Sequence, residues 1–416
     1  MQVTPAVLII GGGVAGMETA KNLALQGYQI YLLDKEDRLG GQVLKLYQTW
    51  QGEDISKYVK GLISSVSTHG NIEIFLNAEI EKVEGFVGNF QTTIASNGSS
   101  LVLAHGVTVI ACGAQELKPD LHLYGHDTRV VTGLELQQRL LEGEAEQQKS
   151  QRFVFIQCVG SRIPERPYCS KLCCGQSISS ALKLKELNPE SEIYILYRDI
   201  RTYGFQEELY HRARAAGIIF IRFNPDENFV VGHDEDSQLM VSFTDTVLKR
   251  RMQIKPELLV LASAIIPEVN NPLTQFYKIF QNEDNFFMEA HAKLRPVDCA
   301  TDGVFICGLA HAPKPIDESI AQAHAVAARA ATILSRKSIK GDGIVSYIDP
   351  ELCSGCLGCV DVCSYGAISF VAEKKRSRLI QPCAKVVGLA PRPVLPRYRW
   401  SGVSITSRFM RKLPVR

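Results

Sequence analysis

The sequence predicts an α/β architecture of two dinucleotide-binding domains, each a doubly wound parallel sheet, joined to a small C-terminal α+β module. Three observations carry this expectation. Ala6–Ile10 is a continuous apolar run entering a Gly-rich turn, as a parallel strand covered on both faces requires. A second such run, 153–156, opens a comparable unit in the middle of the chain. Cys353, Cys356, Cys359 and Cys363 then crowd into a short segment near the end.

The elements follow in order. After the first strand, Val14–Leu25 reads as a helix and Gln29–Leu33 as a strand ending in Asp34, a βαβ unit. Val107–Ile110 is a third apolar strand, and the Gln- and Glu-rich stretch 142–151 reads as a solvated linker. The second unit has a strand at 153–156, a helix at 177–187 just beyond two cysteines, and a strand at 193–197. Segments 258–266 and 304–307 return as strands, and Ala-rich 318–334 is the closing helix. Residues 335–346, rich in Lys, Ser and Gly, form a hinge. The expected boundaries are 1–145 for the first part of the leading domain, 146–265 for the second domain, 266–336 for the return, 345–383 for the Cys module and 384–416 for a basic tail.

Composition narrows the function classes. With 416 residues, 45% hydrophobic and 22% charged, collagen-like, wholly disordered and mini-protein readings are out. The longest apolar stretch, 258–266, is about half of a membrane-spanning helix, and the start of the chain runs into a buried strand with no cleavable leader, so a cytoplasmic protein is expected. The net charge of +2 hides an asymmetry: 384–416 holds eight Lys and Arg and no Asp or Glu. Twelve cysteines without a secretory signal point to metal, cluster or redox work.

Gly11, Gly13 and Gly16 form a G-x-G-x-x-G pattern between strand and helix, where a diphosphate meets the free N–H groups of the helix N-terminus. Asp34, 18 residues after Gly16, suits a ribose hydroxyl. The plain alternative is a Gly-rich turn with a surface Asp. Gly40-Gly41-Gln42, Ala111-Cys112-Gly113 and Thr301 to Gly308 resemble the segments by which flavoproteins of the thioredoxin reductase type wrap FAD. That resemblance implies FAD contacts at Gly41, Gln42, Ala111, Gly113 and Gly308, and a helix starting near Asp317 to Ser319 aimed at the ring. Leu309 departs from the Asp usual there.

Where a second phosphate turn would stand, the chain reads Gln157-Cys158-Val159-Gly160-Ser161-Arg162, followed by Cys169, Cys173 and Cys174. Four thiolates near a helix N-terminus suit a [4Fe-4S] cluster; zinc, and free or disulfide-forming thiols, are the alternatives. Cys158-Val159-Gly160-Ser161-Arg162, Tyr168-Cys169-Ser170, Cys173-Cys174 and Ile195 to Gly204 resemble the A-type subunits of heterodisulfide reductase over residues 5–382. The resemblance implies FAD, a [4Fe-4S] cluster on these four cysteines, a ferredoxin insert and flavin-based electron bifurcation within a complex. Its partners would be heterodisulfide reductase B- and C-like subunits, a hydrogenase- or dehydrogenase-type donor and ferredoxin, with neither nucleic acid nor a direct membrane span; a homodimer is compatible. Ser179 stands where members of that family often carry Lys. No catalytic residue is assigned. The rival functions are a non-bifurcating relay, as in the quinone-interacting membrane-bound oxidoreductase, and an NAD(P)H-dependent disulfide reductase, disfavoured by the missing second Gly-rich turn.

Cys353-x-x-Cys356-x-x-Cys359-x-x-x-Cys363 is the bacterial ferredoxin run, whose fourth Cys ligates the other cluster of a pair. Only Cys383 follows it. Ala384, Val387, Ala390 and Val394 keep ferredoxin spacing, and the neighbouring reading frame can spell Cys at each, so 384–416 reads as a frame-shift product rather than a nucleic-acid-binding arm. Cys112 and Cys307 read as packing residues, His211, His311 and His324 as structural or surface residues, and Arg198, Arg201 and Tyr203 as a charged strand end facing solvent, a partner or the cluster.

Overall fold

A computed structural model describes residues 2–96, 98–143, 152–339, 353–361, 368–372 and 376–379. The chain divides into two compact units, Val3–Lys337 and a second that takes up the chain from Ser338.

The larger unit holds two five-stranded sheets, each parallel throughout. The first runs in the order Val304–Ile306, Val107–Ile110, Ala6–Ile10, Gln29–Leu33, Ile72–Phe75. Side chains alternate across a strand, and here both faces are covered, which is why the strands are apolar without interruption. Val7 and Ile9 pack under the helices Val14–Leu25 and Ile316–Leu334 through Met17, Leu23, Val326 and Ala330. Leu8 faces the other way, toward Phe90, Ile94 and Leu103 of an antiparallel sheet formed by Ala78–Phe86, Asn89–Ser96 and Ser99–His105.

The second sheet repeats the plan in the order Ile219–Arg222, Glu192–Tyr197, Arg152–Val159, Leu258–Ser263, Val130–Thr132. Phe153 and Phe155 bury against the helices Gly133–Leu141, Cys173–Leu187 and Gln206–Ala215. Val154 and Ile156 face Val241 and Phe243 of the antiparallel sheet Val230–His233, Leu239–Asp245 and Arg250–Ile254. The chain crosses between the two sheets along Gln115–Glu116 and returns along Ile265–Ile266, and these two short strands pair antiparallel.

Three elements differ from the sequence expectation. Val130–Thr132 lies upstream of the expected boundary at 146, yet pairs with Leu259–Leu261 in the second sheet. The expected strand 258–266 breaks after Ser263, because the crossover pairs with a different partner. The helix expected from 177 starts at Cys173 and takes both cysteines into its first turn; Leu172 gives it no side-chain cap, so the usual start signal is missing. Among the described residues, no helix is long and apolar enough to cross a membrane.

In the second unit, the described residues form a short helix, Gly358–Asp361, and an antiparallel pair, Ile368–Val371 with Arg376–Leu379.

Candidate functional site

The turn after Ala6–Ile10 is shaped by steric necessity. Gly11 has φ +113°, and a Cβ there would lie 2.2 Å from the Ala111 carbonyl oxygen. A Cβ on Gly16 would lie 1.9 Å from the Gly11 oxygen, so only glycine lets helix and strand approach this closely. Gly13 meets nothing within 4 Å. It is the N-cap of Val14–Leu25 and supplies no side-chain bond to the first turn, leaving N–H donors for an anion. Asp34 accepts the Gly12 N–H at 2.5 Å through one carboxylate oxygen and the Glu36 N–H at 2.9 Å through the other. It therefore braces the turn and still presents lone pairs to the cleft.

A cleft of about 1210 Å³ opens over this turn. Gly11, Gly13, Asp34, Gly41, Gln42, Ala111, Gly113, Gly308 and Ser319 all line it; Gly16 stays behind as packing. Gln42 Oε1 is buried with no partner among the described residues, an acceptor awaiting a donor from a bound group. These features fit FAD: a main-chain cradle for the diphosphate, a carboxylate for ribose, and an orphaned amide. Leu309, standing where Asp was expected, lines the cleft and packs with Ala114, Ile265 and Phe286.

The second half places its cysteines at the corresponding end of its central strand. Arg152–Val159 bulges between Ile156 and Val159, and Cys158 takes a left-handed conformation with φ +64°, which costs a non-glycine residue about 1–2 kcal/mol. Gly160, Arg162 and Lys171 are also left-handed. The loop is fastened to the crossover: Tyr168 Oη donates to the Ile265 carbonyl at 2.8 Å, and the Ile265 N–H donates to Ser170 Oγ at 2.9 Å. Cys158, Cys173 and Cys174 are buried and Cys169 is half-buried.

The four thiols feel one another electrostatically. Cys173 and Cys174 hydrogen-bond each other, which raises Cys173, as burial also does, and lowers Cys174 to about 7 against the opposing effect of burial. Arg201 and Arg162 also favour the Cys174 thiolate. Burial raises Cys158, while Arg162, 4.0 Å away, opposes that. Among the described residues, no group of three or more His, Cys, Asp or Glu is set to hold a metal ion. The thiols lie beside two guanidiniums and an uncapped helix start, surroundings that favour negative charge.

Cys173 lines the same cleft as Gly13 and Asp34. The two sites are thus contiguous. They are also tied together directly: Lys171 pairs with Glu318 of the closing helix at 2.5 Å, Tyr203 donates to the same carboxylate, and Lys171 lies 5.1 Å over the Tyr203 ring.

In the second unit, Cys353 and Cys359 are half-buried and Cys356 is exposed, with Leu357 left-handed at φ +61°. Cys363, Cys383 and the tail read as a frame-shift product lie outside the described residues.

The chain is similar over residues 5–156 to the pyridine nucleotide-disulphide oxidoreductase family and over 346–369 to the 4Fe-4S binding domain family. It is 33% identical to the second iron-sulfur A-type subunit of CoB–CoM heterodisulfide reductase from Methanopyrus kandleri, covering 90% of this chain and 71% of the relative. The chain belongs to the family of heterodisulfide reductase A-type subunits. A second member, the A-type subunit of H2:CoB-CoM heterodisulfide,ferredoxin reductase from Methanothermobacter thermautotrophicus, is 30% identical over 89% of this chain and 70% of that one. As a member of the family the chain is an FAD- and [4Fe-4S]-dependent oxidoreductase. The alignment with the M. kandleri relative spans 468 positions, more than the 416 residues here, so that relative carries segments without a counterpart in this chain. Among solved structures, Lactococcus lactis thioredoxin reductase matches with a TM-score of 0.56 at 16% identity, over 80% of this chain and 99% of that one. Thioredoxin reductase of T. acidophilum matches with a TM-score of 0.53 at 15% identity, over 79% and 99%. Both show the fold.

Other residues singled out in the sequence have structural places. Burial lifts the Cys112 and Cys307 thiols to about 12, as suits packing residues. His311 bonds Glu289 at 2.9 Å and Gln322 at 2.8 Å, His324 reaches Glu18 at 3.3 Å, and His211 is exposed. Arg162 and Arg201 converge on Asp199 at 2.6 and 3.8 Å, and Arg198 donates to the Arg162 carbonyl at 2.9 Å. Ser179 accepts from Gln48 at 2.9 Å and donates to the Thr49 carbonyl at 3.3 Å. Sequence reasoning passed over Lys171, Glu318 and Lys314. Lys314 sits between Pro313 and Pro315, outside any periodic pattern, so only the fold reveals that it lines the cleft.

Proposed function

We propose that the chain is the flavin-bearing electron-transfer subunit of a heterodisulfide-reductase-like complex. FAD is held by Gly11, Gly13, Asp34, Gly41, Gln42, Ala111, Gly113, Gly308 and Ser319, with Gly16 setting the turn. Cys158, Cys169, Cys173 and Cys174 hold a [4Fe-4S] cluster, and Cys353, Cys356, Cys359 and Cys363 serve the ferredoxin-like module. The observation that carries this reading is Cys173 on the wall of the dinucleotide cleft. When bound, FAD supplies two-electron chemistry and the clusters supply one-electron steps.

The chain's own residues do the rest. The Gly turn and the helix N-terminus fix the diphosphate, Asp34 orients the ribose, and the loop 158–174 keeps the thiols at the cleft wall under Arg162 and Arg201. The finer part of the proposal is bifurcation: electrons arriving in pairs from a hydrogenase- or dehydrogenase-type donor leave singly, one toward ferredoxin and one toward a disulfide-reducing B- and C-like partner. The name of the Methanothermobacter relative, which carries both heterodisulfide and ferredoxin, supports this division. The relay alternative draws on Ser179, which is engaged by Gln48 and Thr49 and offers the cleft no charge. A redox titration resolving one-electron from two-electron flavin steps separates the two.

The test is anaerobic purification of the full chain with iron, sulfide and flavin counts, in wild type and in Cys158→Ser and Cys173→Ser. The expected result is about four fewer irons per chain in each variant, as loss of one [4Fe-4S] cluster requires, with loss of one dithionite-induced EPR signal and retained flavin. Unchanged iron in both variants would sink the assignment.

A further inference from the structure

Lys314 is a cation in an unusual position. It is 9% exposed, lines the cleft, and among the described residues forms no ion pair with a carboxylate. Its Nζ donates to two main-chain carbonyls of its own loop, Gly308 at 2.7 Å and Ala312 at 3.0 Å. An ammonium has three donors, so one remains. It stands directly before the 19-residue helix Ile316–Leu334, whose N-terminus has no side-chain cap. A fixed positive charge and a helix N-terminus thus converge on one stretch of cleft wall. Burying a lone cation is unfavourable unless an anion joins it.

We infer that Lys314 is the positioning cation for the flavin ring, placed to neutralise the negative charge that reduction leaves on it. The inference rests on the cleft holding FAD. A dinucleotide whose adenosine ribose is held at Asp34 has its ring half left for the remainder of the cleft, where Lys314, Ser319 and Cys173 lie. Two electrons and one proton then reduce the ring, and Lys314 takes the place of the second proton as counter-charge. Burial lowers its ammonium to about 8, which leaves it cationic at pH 7. The charged and titratable groups around it are Cys307, Lys171, Glu318, Glu289 and His311. Lys171 is already paired with Glu318 and His311 with Glu289, so neither carboxylate is free to replace an incoming anion.

The test is a spectroelectrochemical titration of the flavin in the full chain across pH 6.5–7.5, for wild type, Lys314→Met and Lys314→Arg. Wild type is expected to take up one proton per two electrons. Lys314→Met is expected to take up two, and to bind reduced relative to oxidised flavin at least tenfold less well, a fall in potential of about 30 mV. Lys314→Arg should restore both readings. Wild-type uptake of two protons, or a Lys314→Met variant whose potential and proton count match wild type, overturns the inference. Purified wild type without flavin overturns the underlying FAD reading instead, so the two failures are distinct. If Lys314→Met fails to fold, the wild-type proton count still decides.

Discussion

The two halves of Val3–Lys337 share one plan and differ at one turn. Each has a five-stranded parallel sheet with helices on one face and a three-stranded antiparallel sheet on the other. In each, the loop leaving the central strand adopts left-handed backbone, at the strand end where open α/β sheets bind ligands. In the first half, the turn carries Gly11 and Gly13 and offers main-chain N–H groups without side chains. In the second, it carries Cys158 and leads to Cys169, Cys173 and Cys174, offering thiols. On the proposed reading, a single scaffold edge serves phosphate or iron according to whether its turn is bare or sulfur-bearing. The price of the second choice is visible in the left-handed Cys158.

The largest effect on cofactor binding should come from filling the bare turn. Gly16→Ala puts a methyl where 1.9 Å separates it from the Gly11 oxygen. FAD affinity should fall on the order of a hundredfold or more, about 2.7 kcal/mol, read as flavin lost on gel filtration. Iron on the second half should persist; parallel loss of iron would mean that the two turns do not act separately.

Next is a pH response confined to the first half. His105 is fully buried, stacked on Phe90 and bonded to Thr92 at 2.9 Å and to the Val107 carbonyl at 2.9 Å. Burial lowers it to about 4. Its unfolded value is about 6.5, so the unfolded chain binds the extra proton: stability is full above 6.5 and is lost as pH falls toward 4. The loss should be on the order of 3 kcal/mol. Denaturant titrations at pH 7 and pH 4 should show that much less acid sensitivity in His105→Gln than in wild type.

Asp34→Asn keeps an acceptor for the Gly12 N–H but removes the charge. It should weaken FAD binding about tenfold, or about 1.4 kcal/mol, with no change in iron. The smallest effect belongs to the sulfur-bearing turn. Tyr168→Phe loses the bond to the Ile265 carbonyl and should cost about 1 kcal/mol, read as a lower thermal midpoint with flavin retained.

Much of the first half was legible in its residues. Uninterrupted apolar strands have to be covered on both faces, and glycines bracketed by strand and helix have few other uses. The antiparallel layers were not legible. Val241 and Phe243 bury against the sheet through partners distant in sequence, and short alternating runs such as Ser99–His105 carry no signal of which sheet they cover. The joining of Val130–Thr132 to the second sheet was equally hidden, because register is settled by Leu259 and Leu261 far downstream. At the site, spacing brought forward the cysteines and glycines. It missed Lys171, Glu318 and Lys314, whose importance comes from where the cysteine loop meets the start of the closing helix.

The crossover strands have a mechanical consequence. Two domains joined by a pair of short strands would ordinarily swivel about them. Here Tyr168 and Ser170 grip Ile265 on the return strand, while Lys171 reaches across to Glu318. The thiol-bearing loop of the second half is thereby fastened to the crossover and, through Glu318, to the first half. On the proposed reading, a rotation of the halves about the crossover would have to break the Lys171–Glu318 pair before it could separate the thiols from the flavin.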